Sequence, residues 1–288
     1  MPWADMGPPL GALFRTIVTC ARSFPTNKTG IACIVDAGWT DADQKDMKSL
    51  ENQTAIVTGA SRGYGKGIAQ ALTHAGARVW ITGRNAETLE NAARETGATP
   101  FVADVNDGAA WDRLISEVTG ARDRLDILIN NAGEGVSIAP LTEQSDEAIE
   151  RSLATNLTGA ILGCRRAAAV MVGQQSGLIV NIGSVCAKHA WGEWSVYSAA
   201  KAGLLQFTRC LLTELRPSGV RVTSVIPSWG QTEFTDSCGL GARESGILEK
   251  CIAPEELGKL IVQIAERPAH LVTEEVTLWP MVQPISQL

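Results

Sequence analysis

From residue 53 onward the chain alternates between short apolar runs rich in Val, Ile and Leu and longer stretches whose apolar residues recur every three or four positions. Short runs of that kind bounded by Gly, Asn or Asp read as strands, and the longer periodic stretches read as helices. The predicted strands are QTAIVTG (53–59), RVWITG (78–83), TPFVA (99–103), DILIN (126–130), GLIVNIG (177–183), VRVTSVI (220–226) and EVTLW (275–279). Helices are predicted near 64–75, 86–96, 107–120, 145–173, 195–215 and 254–267. Ser145 followed by Asp146 and Glu147 supplies an N-cap and early negative charge for the fourth helix, and Pro254 before Glu255 and Glu256 opens the last. This strand-helix alternation predicts an α/β fold: a single doubly wound, Rossmann-type domain with a seven-stranded parallel sheet and helices on both faces.

Residues 1–46 stand outside that pattern. Two weak apolar stretches, LGALFRTIV and GIACIVDAGW, are separated by Pro25, Asn27 and Gly30 and add no alternating strand. Arg15, Arg22 and Lys28 against Asp5 hint at a targeting segment, but Asp36, Asp41, Asp43 and Asp46 oppose it. The segment is expected to be a disordered extension, or to lie upstream of a natural start at Met47 and outside the native core. The Rossmann domain is assigned to residues 47–288.

Composition narrows the class. The 288 residues are 45% hydrophobic and 19% charged, which suits one sizeable core. A net charge of -6 with no basic block argues against nucleic acid. No apolar run reaches the roughly 18 residues of a membrane span, so a soluble protein is expected. Seven scattered cysteines with no CxxC pair, and only three histidines, argue against a metal site and for free thiols in a reducing, cytoplasmic setting.

The chemistry concentrates in two places. TGASRGYG (58–65) lies where the first strand ends and a helix begins. Gly59, Gly63 and Gly65 permit a tight turn and close approach of the backbone to a pyrophosphate at a helix N-terminus, and Ser61 and Arg62 in the same loop are candidate cofactor contacts. YSAAK (197–201) places Tyr197 and Lys201 four residues apart, on one helix face. A nearby ammonium and the helix N-terminus both favour phenolate, which makes a tyrosine usable as an acid-base group near neutral pH.

With its Gly-x3-Gly-x-Gly spacing, NNAG at 130–133, Asn156 in SLATNLTG, Ser184 ending GLIVNIGS, and Tyr197-x3-Lys201, the chain resembles the short-chain dehydrogenase/reductase family over about residues 47–280. The resemblance implies an enzyme that moves a hydride between a nicotinamide cofactor and a carbonyl or alcohol. Tyr197 would be the general acid/base, Ser184 would bond the substrate oxygen, Lys201 would also bind ribose hydroxyls, and Asn156 would hold a water in the proton relay. Asn131, Ala132 and Gly133 would contact the cofactor, as would Asp104 at the adenine, Pro227 after the sixth strand and Thr232 at the carboxamide. A homodimer or homotetramer is the expected assembly.

The second strand ends in Gly83-Arg84 where a carboxylate would meet the 2'-hydroxyl of NAD. Arg84, with Arg62 in the glycine loop, favours the 2'-phosphate of NADP(H). Two departures from the family pattern stand out. Pro227-Ser228-Trp229-Gly230 replaces Pro-Gly, and the tail reads VTLWPMVQP instead of ending in Asp-Gly-Gly, similar to the subgroup acting on small hydroxy acids and related alcohols. Trp191, Trp194 and Trp229 are expected around a small-molecule substrate pocket, favouring a bulky apolar or aromatic carbonyl compound. Cys186 reads as a small packing residue, and His189 and Lys188 as solvated loop residues. Two other readings are a 3-oxoacyl thioester reductase and, in a different class, a non-catalytic NADP(H)-binding regulator.

Overall fold

The seven apolar runs all pair in the computed structural model, which describes residues 49–135, 139–234 and 247–283. The expectations for residues 1–46 fall outside the described residues. The strands are β1 (Thr54–Val57), β2 (Arg78–Gly83), β3 (Thr99–Val102), β4 (Ile127–Asn130), β5 (Gly177–Ile182), β6 (Val220–Pro227) and β7 (Glu275–Leu278). All are parallel, in the order β3-β2-β1-β4-β5-β6-β7. The chain lays strands outward from β1 to β3, then returns to set β4 against the other side of β1, with Ala55 opposite Ile127. That reversal opens a crevice at the carboxyl ends of β1 and β4, where such sheets bind ligands.

Helices α1 (Gly63–His74), α2 (Ala86–Thr96), α3 (Gly108–Arg122), α4 (Asp146–Leu153), α5 (Gly159–Gln174), α6 (Ser195–Leu215) and α7 (Pro254–Ala265) cover the sheet. Ile68, Leu72, Leu89, Leu257 and Ile261 from α1, α2 and α7 pack with Val57, Ile81 and Ile129 on one face. Trp111, Leu114, Cys164, Met171 and Leu211 from α3, α5 and α6 pack with Ile56, Leu128 and Ile179 on the other. A strand buried on both faces is therefore apolar at consecutive positions, which is why these runs stand out in the sequence. The expected caps form: Ser145 Oγ accepts from Ala148 N–H at 3.2 Å, and the Glu256 carboxylate accepts from Ala253 N–H at 2.7 Å.

The helix predicted over 145–173 is interrupted by a π-helical turn, Ala154–Thr158, between α4 and α5. Asn156 lies in that turn. Among the described residues no helix is long and apolar enough to cross a membrane, and no group of three or more His, Cys, Asp or Glu could hold a metal ion.

Candidate active site

The crevice widens into a cleft of about 830 Å³. At its floor the glycine loop and the NNAG turn interlock. Gly59 has φ +63°, and a Cβ there would lie 2.7 Å from Ala132 Cα. A Cβ on Gly65 would meet Gly59 O at 2.4 Å and Asn131 Nδ2 at 2.5 Å. Thr58 Oγ1 accepts from the N–H groups of Asn131 and Ala132 at 3.0 Å each, and Asn131 Nδ2 donates to the carbonyls of Thr58 and Gly59 at 2.9 and 3.1 Å. Deeper in the sheet Asn130 Nδ2 donates to Asn181 Oδ1 at 2.8 Å, tying β4 to β5. The result is bare backbone at the start of α1, where the first amides have no intrahelical acceptor. This cradle fits a pyrophosphate, as the glycine spacing predicts.

Gly83, Arg84 and Asp104 line the next part of the cleft, beside Ser61 and Arg62. Asp104 Oδ1 accepts from Asn106 N–H at 2.8 Å, so the acid also shapes its own turn. Arg84 lies 3.6 Å from the carboxylate of Glu134, which also takes a 2.8 Å contact from Arg151 Nε. Glu134 faces the cleft and was not foreseen, although it directly follows NNAG.

Beyond the turn lies the predicted catalytic set. Lys201 is 4% exposed on α6, and its Nζ donates to Ile182 O at 3.1 Å and sits 5.7 Å from the centroid of the Tyr197 ring. Burial drives the Lys201 pKa down from 10.5 to about 8, with the nearby Cys186 thiol acting the opposite way. Ser184 Oγ accepts from Cys186 N–H at 3.2 Å, which leaves the hydroxyl hydrogen to donate. Ser184 thus caps the short turn that follows β5 and also lines the cleft. The Cys186 thiol is pushed up by burial, in keeping with a packing residue.

Asn156 and Gly65 do not line the cleft; they stand directly behind its wall. Asn156 Nδ2 donates to Glu134 O at 3.0 Å and Ser152 O at 3.1 Å, and its Oδ1 accepts from Glu134 N–H at 3.2 Å. A Cβ on Gly133 would lie 3.2 Å from Asn156 Oδ1 and 3.7 Å from Lys201 Nζ, so this glycine lets the two polar groups converge.

Asn131, Ala132, Gly133, Pro227 and Thr232 all line the cleft, as do Trp191, Trp194 and Trp229 at its other end. The Tyr197 ring is flanked by Trp194, centroids 5.7 Å apart, and by Phe234 at 5.6 Å. His189 instead packs against Trp191 and Trp279, and Lys188 pairs with Glu275 on β7. Neither lines the cleft. Glu134, Phe234 and Gln283 are not marked by any motif in the sequence; Glu134 directly follows NNAG, while Phe234 and Gln283 reach the cleft only through tertiary packing.

A family model described as short chain dehydrogenase matches residues 53–241. The chain is 31% identical over 242 residues to the NADP-dependent 3-hydroxy acid dehydrogenase YdfG of Escherichia coli, covering 81% of this chain and 97% of that protein. It is 32% identical over 236 residues to the serine 3-dehydrogenase of Agrobacterium fabrum, covering 80% and 94%. The closed form of a serine dehydrogenase complexed with NADP+ superposes with a TM-score of 0.75 at 31% identity, over 82% of this chain and 98% of that one.

Proposed function

Because the chain belongs to the short-chain dehydrogenase family, and is thus an oxidoreductase, we propose that it interconverts a ketone or aldehyde and an alcohol, with Tyr197 as the general acid/base. NADP(H) is its cofactor, in line with NADP-dependent relatives and an NADP+-bound structural neighbour. When bound, it supplies or takes up the hydride.

The glycine loop and the start of α1 would hold the pyrophosphate, Arg84 and Arg62 the 2'-phosphate, Asp104 the adenine, Lys201 the nicotinamide ribose, and Thr232 the carboxamide. In reduction Tyr197 donates its proton to the carbonyl oxygen, which also receives a hydrogen bond from Ser184. The Lys201 ammonium lowers the cost of the phenolate left behind. Asn156 acts through the turn it pins: both amide hydrogens are engaged by protein carbonyls, so it fixes Gly133 beside Lys201.

The observation that carries this reading is the convergence of Ser184, Tyr197 and Lys201 on the same cleft as the glycine loop. The aromatic flanks of Tyr197 and the placement of Trp191 and Trp229 support a bulky apolar or aryl carbonyl compound as substrate. A panel of small and bulky carbonyl compounds, followed by loss of the near-ultraviolet absorbance of NADPH, tests it. Bulky apolar members are expected to turn over with NADPH and much less with NADH. NADPH binding without reduction of any member would contradict the reading and favour a regulator.

A further inference from the structure

We propose that Gln283, in the tail beyond β7, is a positioning residue that sets substrate selectivity by clamping Trp229 at the substrate end of the cleft. The inference rests on the carbonyl-reducing reading of the site and concerns a residue outside every motif.

The two departures from the family pattern meet in space. The Gln283 side chain is buried, with the residue 7% exposed, and it faces the cleft. Its Oε1 accepts from the Ser228 hydroxyl at 2.5 Å and from Trp229 N–H at 3.2 Å, across more than fifty residues of chain. Both lone pairs of that oxygen are thereby used. A glycine at 228, as in the usual Pro-Gly, would offer no hydroxyl, so the unusual serine and the unusual tail depend on each other. Backbone bonds complete the clamp. Ser228 N–H donates to Leu278 O at 3.0 Å, Ile252 N–H to Trp229 O at 3.0 Å, and Gln283 N–H to Pro280 O at 3.0 Å. Trp229 is thus held at its amide by the tail and at its carbonyl by the segment entering α7.

Deleting the Gln283 amide removes the acceptor of two donors in a part-buried loop, and the loop relaxes to recover partners. Trp229, which walls the cleft, moves with it. Gly230, next to Trp229, lies against Tyr64 of the glycine loop, so selectivity between substrates at saturating NADPH, and not cofactor affinity, reports on the clamp.

The test compares wild type with Ser228→Ala, Gln283→Ala, the double variant and Gln283→Glu, which keeps an acceptor oxygen at the same reach. For a bulky aryl ketone and a small aliphatic ketone, kcat and KM are measured separately, with NADPH affinity and amide exchange of the 228–231 segment. Each alanine variant is expected to change the bulky-to-small ratio of kcat/KM by about fivefold to thirtyfold, mainly through KM, and to speed exchange at Trp229. The double variant should do no more than the larger single, and Gln283→Glu should keep the wild-type ranking, each measured at saturating NADPH. An unchanged ranking in active variants, or additive effects of the two alanines, overturns the clamp alone. A wild-type protein that binds NADPH yet reduces neither ketone overturns the reading of the site, and the selectivity role with it.

Discussion

Arg84 stands at the end of β2, and its pairing with Glu134 is long, with 63% of the arginine side chain exposed and 20% of the glutamate. Such a pair contributes little to folding. Its guanidinium remains available to a phosphate, which it can grip with several charge-assisted bonds. Arg84→Ala should therefore weaken NADPH binding about tenfold to a hundredfold while changing NADH binding far less, as read by titration of each nucleotide. Equal losses would make Arg84 a structural residue. This side chain was legible because Gly83 stands where a carboxylate is expected and Arg84 follows it directly. Its partner Glu134 was not, since the contact joins the ends of β2 and β4 across β1, and only the strand order brings them together.

At the scale of elements, α6 was readable in full because its apolar period runs unbroken and Tyr197 and Lys201 share one face. The stretch from 145 to 173 was not. Its pattern reads through as one helix, whereas Asn156 is held by both backbone groups of Glu134, and the backbone takes a π-helical turn there. Such turns recur at functional sites, and a propensity reading of the helix has no term for the long-range bonds that accompany this one. Helix α6 also carries a measurable cost. Burial lowers the Lys201 pKa from 10.5 to about 8, so the folded protein holds this proton less tightly than the unfolded chain does. Below about pH 8 the ammonium is charged in folded and unfolded chains alike, and the full cost of burying it is present. Between about pH 8 and the ordinary lysine range the folded protein releases the proton first, so stability rises with pH. Wild type should gain on Lys201→Met over that window by on the order of 3 kcal/mol, measured by denaturant unfolding. A gap between the two that does not change with pH would locate the charge outside the core.

For the molecule as a whole, seven apolar runs and the reversal of strand order after β3 decide where a ligand can sit, and the motifs found in the sequence fall at the mouth of that crevice. The inner strands β1, β2, β4, β5 and β6 were legible because burial on both faces demands consecutive apolar residues, whereas the edge strands β3 and β7 are only partly covered. The substrate end was legible only in part. Tryptophans near Ser184 and after β6 were visible as candidates, but Phe234 beside Tyr197 and Gln283 beneath Trp229 reach the cleft through tertiary packing that no local pattern encodes. In the proposed reaction this cleft uses Tyr197 to move the proton that accompanies reduction. The most direct test is Tyr197→Phe, which removes one hydroxyl and keeps the ring between Trp194 and Phe234. Turnover of the best carbonyl substrate should fall by at least about a hundredfold while NADPH affinity stays within about twofold of wild type. Turnover within about tenfold of wild type would contradict the account.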